Sequence, residues 1–135
     1  MESCIFCKII AGEIPSYKLY EDDKTMAFLD IHPVNPGHTL VIPKKHSTNI
    51  LDIEPEDWAA VAETTRKMSQ ILHDTVVADG INLRMNNREH AGQDVDHPHV
   101  HIVPRHKGDG LKLWPGKSYK EGEAETIVEK IRASL

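Results

Sequence analysis

The chain has 135 residues, of which 16 are basic and 21 acidic, giving a formal charge of -5, and 39% of it is hydrophobic. That length suits one globular domain over residues 1–135, able to bury roughly two-thirds of the surface its unfolded chain exposes. The acidic balance argues against a basic face for DNA or RNA, and no apolar run approaches the ~18 residues of a membrane span.

The opening Met1-Glu2-Ser3-Cys4 lacks the basic and apolar regions of a secretory leader. The expectation is a cytoplasmic protein in which Cys4-x-x-Cys7 is a metal or redox pair rather than a structural disulfide. Lys18-Leu19-Tyr20 and Thr25-Met26-Ala27-Phe28-Leu29 read as strands joined by a tight turn at Glu21-Asp22-Asp23-Lys24. Asn35-Pro36-Gly37 is a turn, after which Thr39-Leu40-Val41-Ile42 forms a strand stopped by Pro43. From Glu54 to about Ala78 the pattern predicts the main helix. Pro55 suits its first position, and Glu56 and Asp57 suit the positive end of its dipole. Trp58, Val61, Thr65, Met68, Leu72 and Val76 recur every three or four residues as a buried stripe. Asp79-Gly80 ends the helix, Ile81-Asn82-Leu83-Arg84-Met85 alternates as a strand, and a loop covers Asn87 to Gln93. Val100, Ile102 and Val103 belong to another strand, and a last helix from about Glu123 packs Ile127, Val128 and Ile131 on its apolar side. Without repeats or linkers, this is an α+β pattern.

Five of the nine histidines fall between residues 90 and 106, and His97, His99 and His101 alternate with Pro98, Val100 and Ile102. Read as one strand, the imidazoles share a face that looks into a cleft or solvent, and the apolar residues take the opposite, core face. Neighbours on one face of a strand are about 6.6 Å apart, whereas zinc ligands bind at about 2.0–2.1 Å, so at most two of the three can share an ion. Strict alternation also fits poorly with accidental surface histidines. Catalysis by imidazole fits better: with an ordinary pKa of ~6.5 the ring is largely unprotonated at neutral pH, and a neighbouring ring can donate a proton or meet a phosphate. His38, Asn86, Asn87 and Gly92-Gln93 add donors suited to phosphate in three further places. Phosphorus chemistry is the leading expectation, with metal binding second.

His97-x-His99-x-His101 followed by two apolar residues resembles the histidine-triad (HIT) family. So do Phe6-Cys7-Lys8-Ile9-Ile10 with Glu13-Ile14-Pro15, Ala27-Phe28-Leu29-Asp30-Ile31, Gly37-His38-Thr39-Leu40-Val41-Ile42-Pro43-Lys44-Lys45-His46 and Ala91-Gly92-Gln93, in that order. The resemblance implies a HIT-like α+β fold, an antiparallel sheet with one long helix and a C-terminal helix, paired as a homodimer. It implies a nucleotide hydrolase that releases a nucleoside monophosphate, best AMP or another purine nucleotide, through a nucleotidyl-histidine and without a catalytic metal. On this resemblance His99 is the nucleophile, His101 the partner on the phosphate and leaving-group side, His97 a support for the nucleophile, and His38 the fourth histidine. Asn86 and Gln93 would contact phosphate oxygens, Asp30 the ribose hydroxyls, and Phe6, Ile9, Phe28 and Ile31 would form the slot for the base, with ordinary core packing as the alternative for that slot.

Asp94 stands where many phosphoramidase-like members of the family carry a small hydroxyl residue, which bears on the choice of leaving group. Some members join a cysteine pair to two histidines around structural zinc; here these would be Cys4, Cys7, His46 and His97. Trp114-Pro115-Gly116 resembles a C-terminal signature of the Hint branch that reaches the partner's active site; an exposed turn is the alternative. A nucleoside phosphoramidate is the best single substrate expected. The rivals are a dinucleoside polyphosphate hydrolase, a regulatory module that binds nucleotide with negligible turnover, and a zinc hydrolase with the triad as ligands. No task is assigned to His32, His73, His90 or His106.

Overall fold

The computed structural model describes residues 3–135; Met1 and Glu2, on which part of the leader reading rests, lie outside them. The order is α1 (Ile5–Ile10), β1 (Lys18–Glu21), β2 (Thr25–Leu29), β3 (Thr39–Pro43), α2 (Pro55–Thr75), β4 (Gly80–Arg84), β5 (Val100–Arg105) and α3 (Glu123–Ala133), with a 3-10 turn at Glu89–Ala91. The strands form one antiparallel five-stranded sheet in the order β1-β2-β3-β5-β4. The acidic turn between β1 and β2 is held by Asp22, whose Oδ1 accepts from the backbone N–H groups of Lys24 and Thr25.

Both faces of the sheet are covered, which is why β2 and β3 read as continuous apolar runs. On one face Ala27, Val41, Val100 and Ile102 pack against Val61, Met68 and Leu72 of α2. This is the expected core row, and burial of a side chain such as Ile102 stabilises the fold by about 1.5–3 kcal/mol. Thr25 and Thr64 share a buried 2.7 Å hydroxyl contact that ties β2 to α2. On the other face Met26, Phe28, Leu40 and Ile42 pack with Cys4 and Phe6 of the N-terminal segment. The helix α1 has no counterpart in the predicted elements, and it covers the face on which the imidazoles lie.

Several expectations change. The main helix stops at Thr75 rather than near Ala78, because Val77 turns left-handed (φ 52°) and the Ala78 N–H reaches back to the His73 carbonyl. Gly80 begins β4 and does not end the helix. Ile127, Val128 and Ile131 on α3 remain 39%, 42% and 56% exposed, so the last helix does not bury its apolar side against the described chain. The regular strand β5 begins only at Val100: its pairing with β3 starts at Val41↔Val100, and Pro98 has no N–H to extend the ladder. His97 and His99 therefore precede the strand. Among the described residues, no helix is long and apolar enough to cross a membrane.

Candidate active site

His38 sits just before β3, His97 and His99 just before β5, and His101 within it beside Leu40 of β3. Their rings still gather on one face, where Phe6 stands edge-on to both His97 and His99 at 5.9 and 5.2 Å and the rings of His99 and His101 are 5.0 Å apart. Of the expected cleft or solvent, burial excludes open solvent: His38, His97, His99 and His101 are 2%, 0%, 2% and 8% exposed.

The partners of each ring assign its tautomer. The Val34 N–H donates to Nδ1 of His38 at 3.0 Å, so His38 carries its proton on Nε2. That Nε2–H donates to Nδ1 of His101 at 2.8 Å, which leaves the His101 proton on Nε2. His99 donates from Nδ1 to the His97 carbonyl at 2.8 Å, so its Nε2 carries a lone pair. His97 donates from Nε2 to the Pro43 carbonyl at 2.7 Å, leaving the Nδ1 lone pair free. Burial is the chief reason that three of these rings, His38, His97 and His101, resist protonation. It lowers the pKa of His38 against the opposing pull of Asp30, and it holds His97 and His101 to about 4, helped by neighbouring histidines and, for His101, by Arg84. His97 and His101 are therefore neutral at pH 7.

The Nδ1 of His97 faces Cys4 Sγ at 3.5 Å, Cys7 Sγ at 3.7 Å and Nδ1 of His46 at 3.3 Å. The donor atoms of Cys4, Cys7, His46 and His97 all lie within 4.8 Å of one another. Two sulfurs and two nitrogens at this spacing could hold tetrahedral zinc, and the His97 Nε2–H donated to a carbonyl is the outer support such ligands require. Burial, and then Cys4 beside it, push the Cys7 thiol up to about 11, so Cys7 stays protonated until a cation offsets the cost of its thiolate. Asp30, His38 and His101 converge equally closely. There, however, the Val34 N–H occupies Nδ1 of His38 and Nε2 gives its proton to His101, so His38 and His101 are a hydrogen-bonded pair beside Asp30 rather than a ligand set. His99 joins neither cluster, which counts against the triad as a shared metal site.

The HIT domain profile matches residues 11–108 of this chain. The chain belongs to the HIT family. The Hit protein of Bacillus subtilis is 44% identical, with 99% of this chain and 95% of that protein covered. An adenosine 5'-monophosphoramidase of Candida albicans is 37% identical, over 98% of this chain and 91% of its own, and an adenylylsulfatase of Arabidopsis thaliana is 38% identical, over 98% and 69%. Among solved structures, a protein of Streptococcus mutans UA159 superposes with a TM-score of 0.94 at 41% identity, covering 99% of this chain and 86% of that one. A zinc-bound histidine triad protein of Mycobacterium smegmatis superposes with a TM-score of 0.79 at 34% identity, covering 99% of both chains.

The residues that the HIT resemblance assigns to nucleotide binding are placed unevenly. Asp30 lies beside the histidines, with Oδ2 3.7 Å from Nε2 of His38 and Oδ1 accepting from the His32 N–H. Phe6 and Phe28 meet edge-on at 5.6 Å within the second core, and Ile9 packs against it, so the core-packing alternative describes them here. Ile31 is 69% exposed and Trp114 86% exposed; neither joins that cluster. The Asn86 side-chain amide donates to the Gly92 carbonyl at 3.2 Å. Gln93 departs from the expected phosphate contact. Both hydrogens of its amide go to the carbonyls of Thr48 and Val95, and its oxygen accepts from the Arg88 N–H, so the side chain braces the β4–β5 connection and ties it to the β3–α2 loop. Asp94 places Oδ1 3.5 Å from Nε2 of His99.

What residue-type reasoning missed is mostly backbone. The Val34 N–H and the carbonyls of Pro43 and His97 set every tautomer in the site, and no side-chain pattern announces them. Arg84 was legible only as a strand residue, although it pairs with His101 across β4 and β5.

Proposed function

We propose that this protein is a nucleotide hydrolase that releases a nucleoside monophosphate, best AMP, from a phosphoramidate or a related conjugate. One observation carries the reading: His99 is locked by the His97 carbonyl with a lone pair on Nε2, while His101 offers Nε2–H from the adjacent ring. His99 attacks the α-phosphorus. The new N–P bond forms as the bond to the leaving atom breaks, its electron pair departing with that atom, which takes up protons from solvent. His101, oriented by His38, donates a hydrogen bond to the phosphoryl group on the leaving-group side. Water then adds to phosphorus, the electron pair returns to Nε2, the released protons replace those consumed, and the nucleotide leaves. Two easier displacements replace one difficult one.

Asp30, beside His38, would hold the ribose and exposed Ile31 would meet the base, while Phe6, Ile9 and Phe28 serve as core packing beneath the histidines. Asn86, whose amide gives one hydrogen to the Gly92 carbonyl, would offer its other hydrogen to a phosphate oxygen. Names such as monophosphoramidase and adenylylsulfatase among the relatives support nucleotide hydrolysis at this site. Cys4, Cys7, His46 and His97 would hold zinc, and the zinc-bound relative favours that ion. Such an ion supplies a cross-link between the N-terminal segment and the triad. A homodimer over this single 1–135 domain is the assembly we favour: β4 is a free sheet edge, Leu83 on it is 56% exposed, and a recess of about 400 Å³ there is lined by Leu83, Arg84 and Trp114.

The test is to mix the protein with adenosine phosphoramidate, and separately with diadenosine tetraphosphate, quench, and look by mass spectrometry for an adenylyl group on His99. We expect the adduct with the phosphoramidate and its loss in His99→Ala. Tight AMP binding with neither turnover nor adduct would overturn this reading in favour of a regulatory nucleotide-binding module.

A further inference from the structure

The carboxylate of Asp94 lies 3.5 Å from Nε2 of His99; the His99 ring is 2% exposed and the Asp94 side chain 81% exposed. The hydrogen bond His99 makes among the described residues runs from Nδ1, so this buried ring aims an unpartnered nitrogen at the mouth where Asp94 stands. A cavity of about 470 Å³ adjoins that mouth. Asp94, Asp96 and Thr48 line it together with Cys4 and His46 of the Cys/His cluster, and no lysine or arginine does. Gln93, next to Asp94, is fixed to Thr48 and Val95, so the loop that presents the acid is braced rather than free.

We propose that this cavity receives the leaving group and selects, among nucleoside phosphoramidates, those whose amine carries a further positive charge, with Asp94 as the specificity-determining residue. The proposal rests on the reading of His99 as nucleophile. Phosphorus must come within bonding distance of Nε2 with its leaving nitrogen in line beyond it, so a carboxylate 3.5 Å from Nε2 stands close enough to act on the charge of that group. The bond from phosphorus to the amine breaks with both electrons going to nitrogen, which takes protons from water and leaves as an ammonium, while the bond to Nε2 forms. A carboxylate at that distance favours the ammonium and any second cation behind it, and disfavours anionic leaving groups. Asp94 is exposed, so the preference is modest, on the order of tenfold per unit charge, and salt screens it.

Three adenosine phosphoramidates that share the same reacting bond test this: those of putrescine, butylamine and γ-aminobutyrate, with a distal positive, neutral and negative group. We expect kcat/KM to fall in that order by about tenfold per step, the spacing to shrink at high salt, and Asp94→Asn to draw the three rates together, with Asp96→Asn doing so in part. Equal rates on all three in the unmodified protein, or a spacing unchanged by salt and by Asp94→Asn, would overturn the proposal. Absence of His99-dependent turnover of the butylamine conjugate would instead overturn the catalytic reading beneath it. The salt series on the unmodified protein decides the matter even where the variant folds poorly.

Discussion

Nδ1 of His99 donates a 2.8 Å hydrogen bond to the carbonyl oxygen of His97, and the ring of that same His97 turns Nδ1 toward the thiols of Cys4 and Cys7. One residue therefore belongs to two devices: its side chain to a Cys/His cluster, its main chain to the orientation of the neighbouring imidazole.

The first prediction follows from this sharing. Protein purified without a histidine tag should contain zinc by elemental analysis, and Cys7→Ser should lose the metal and several degrees of thermal stability. The same variant should also slow hydrolysis, because an unanchored His97 no longer holds the His99 ring. Full activity and unchanged melting in metal-free Cys7→Ser would separate the two devices.

The chain from Val34 through His38 to His101 predicts a single tautomer for His101. Nitrogen-15 NMR of selectively labelled protein should place the His101 proton on Nε2. His38→Ala removes the donor to Nδ1 and should mix the two tautomers while lowering kcat by about 10–100-fold, with a smaller change in KM. An unaltered His101 spectrum in the variant would show that His38 does not set it.

A pH dependence of stability also follows. His101 has a folded pKa of about 4, held there mainly by burial, and His38 is shifted the same way. Below the ordinary value of ~6.5 the unfolded chain binds protons that the folded one refuses. This contribution is thus fully present above ~6.5 and is lost as pH falls from there to about 4, with His101 alone worth up to about 3 kcal/mol. Urea midpoints measured from pH 7 to pH 4 should fall less steeply in His101→Asn than in the unmodified protein. Parallel slopes would remove His101 from the explanation.

Val77 adopts a left-handed backbone (φ 52°) with its side chain 79% exposed. A β-branched residue pays about 1–2 kcal/mol for that conformation and recovers little by burial. Val77→Gly should therefore raise stability by about 0.5–1 kcal/mol, read as a higher urea midpoint with unchanged activity. A lower midpoint would mean that the Val77 methyls make contacts of greater worth than the strain they carry.

The extent to which the site is written in residue order differs between its parts. The stripe Trp58, Val61, Thr65, Met68, Leu72 and Val76 is legible because a helix repeats every 3.6 residues; its four middle residues are buried, while Trp58 and Val76 at its ends are half-buried. The apolar row Val100 and Ile102 is legible for the same kind of reason, the twofold period of a strand. The same alternation overstated β5, since Pro98 cannot donate to a ladder and the partner strand β3 ends its pairing opposite Val100. Ile127, Val128 and Ile131 show the reverse failure: periodicity predicts a helix and finds one, but says nothing about what will cover it.

The sequence by itself determined the four histidines, the cysteine pair, the breaks between elements and the family to which the chain belongs, because spacing and residue type are local properties. Only the tertiary structure decided that Cys4 and His97, 93 positions apart, meet at 3.5 Å, that Gln93 is spent on bracing loops, and that Asp94 stands 3.5 Å from Nε2 of His99. Those outcomes depend on which backbone N–H and carbonyl groups remain unpaired once the sheet has formed, and such groups are present at nearly every residue and marked by none.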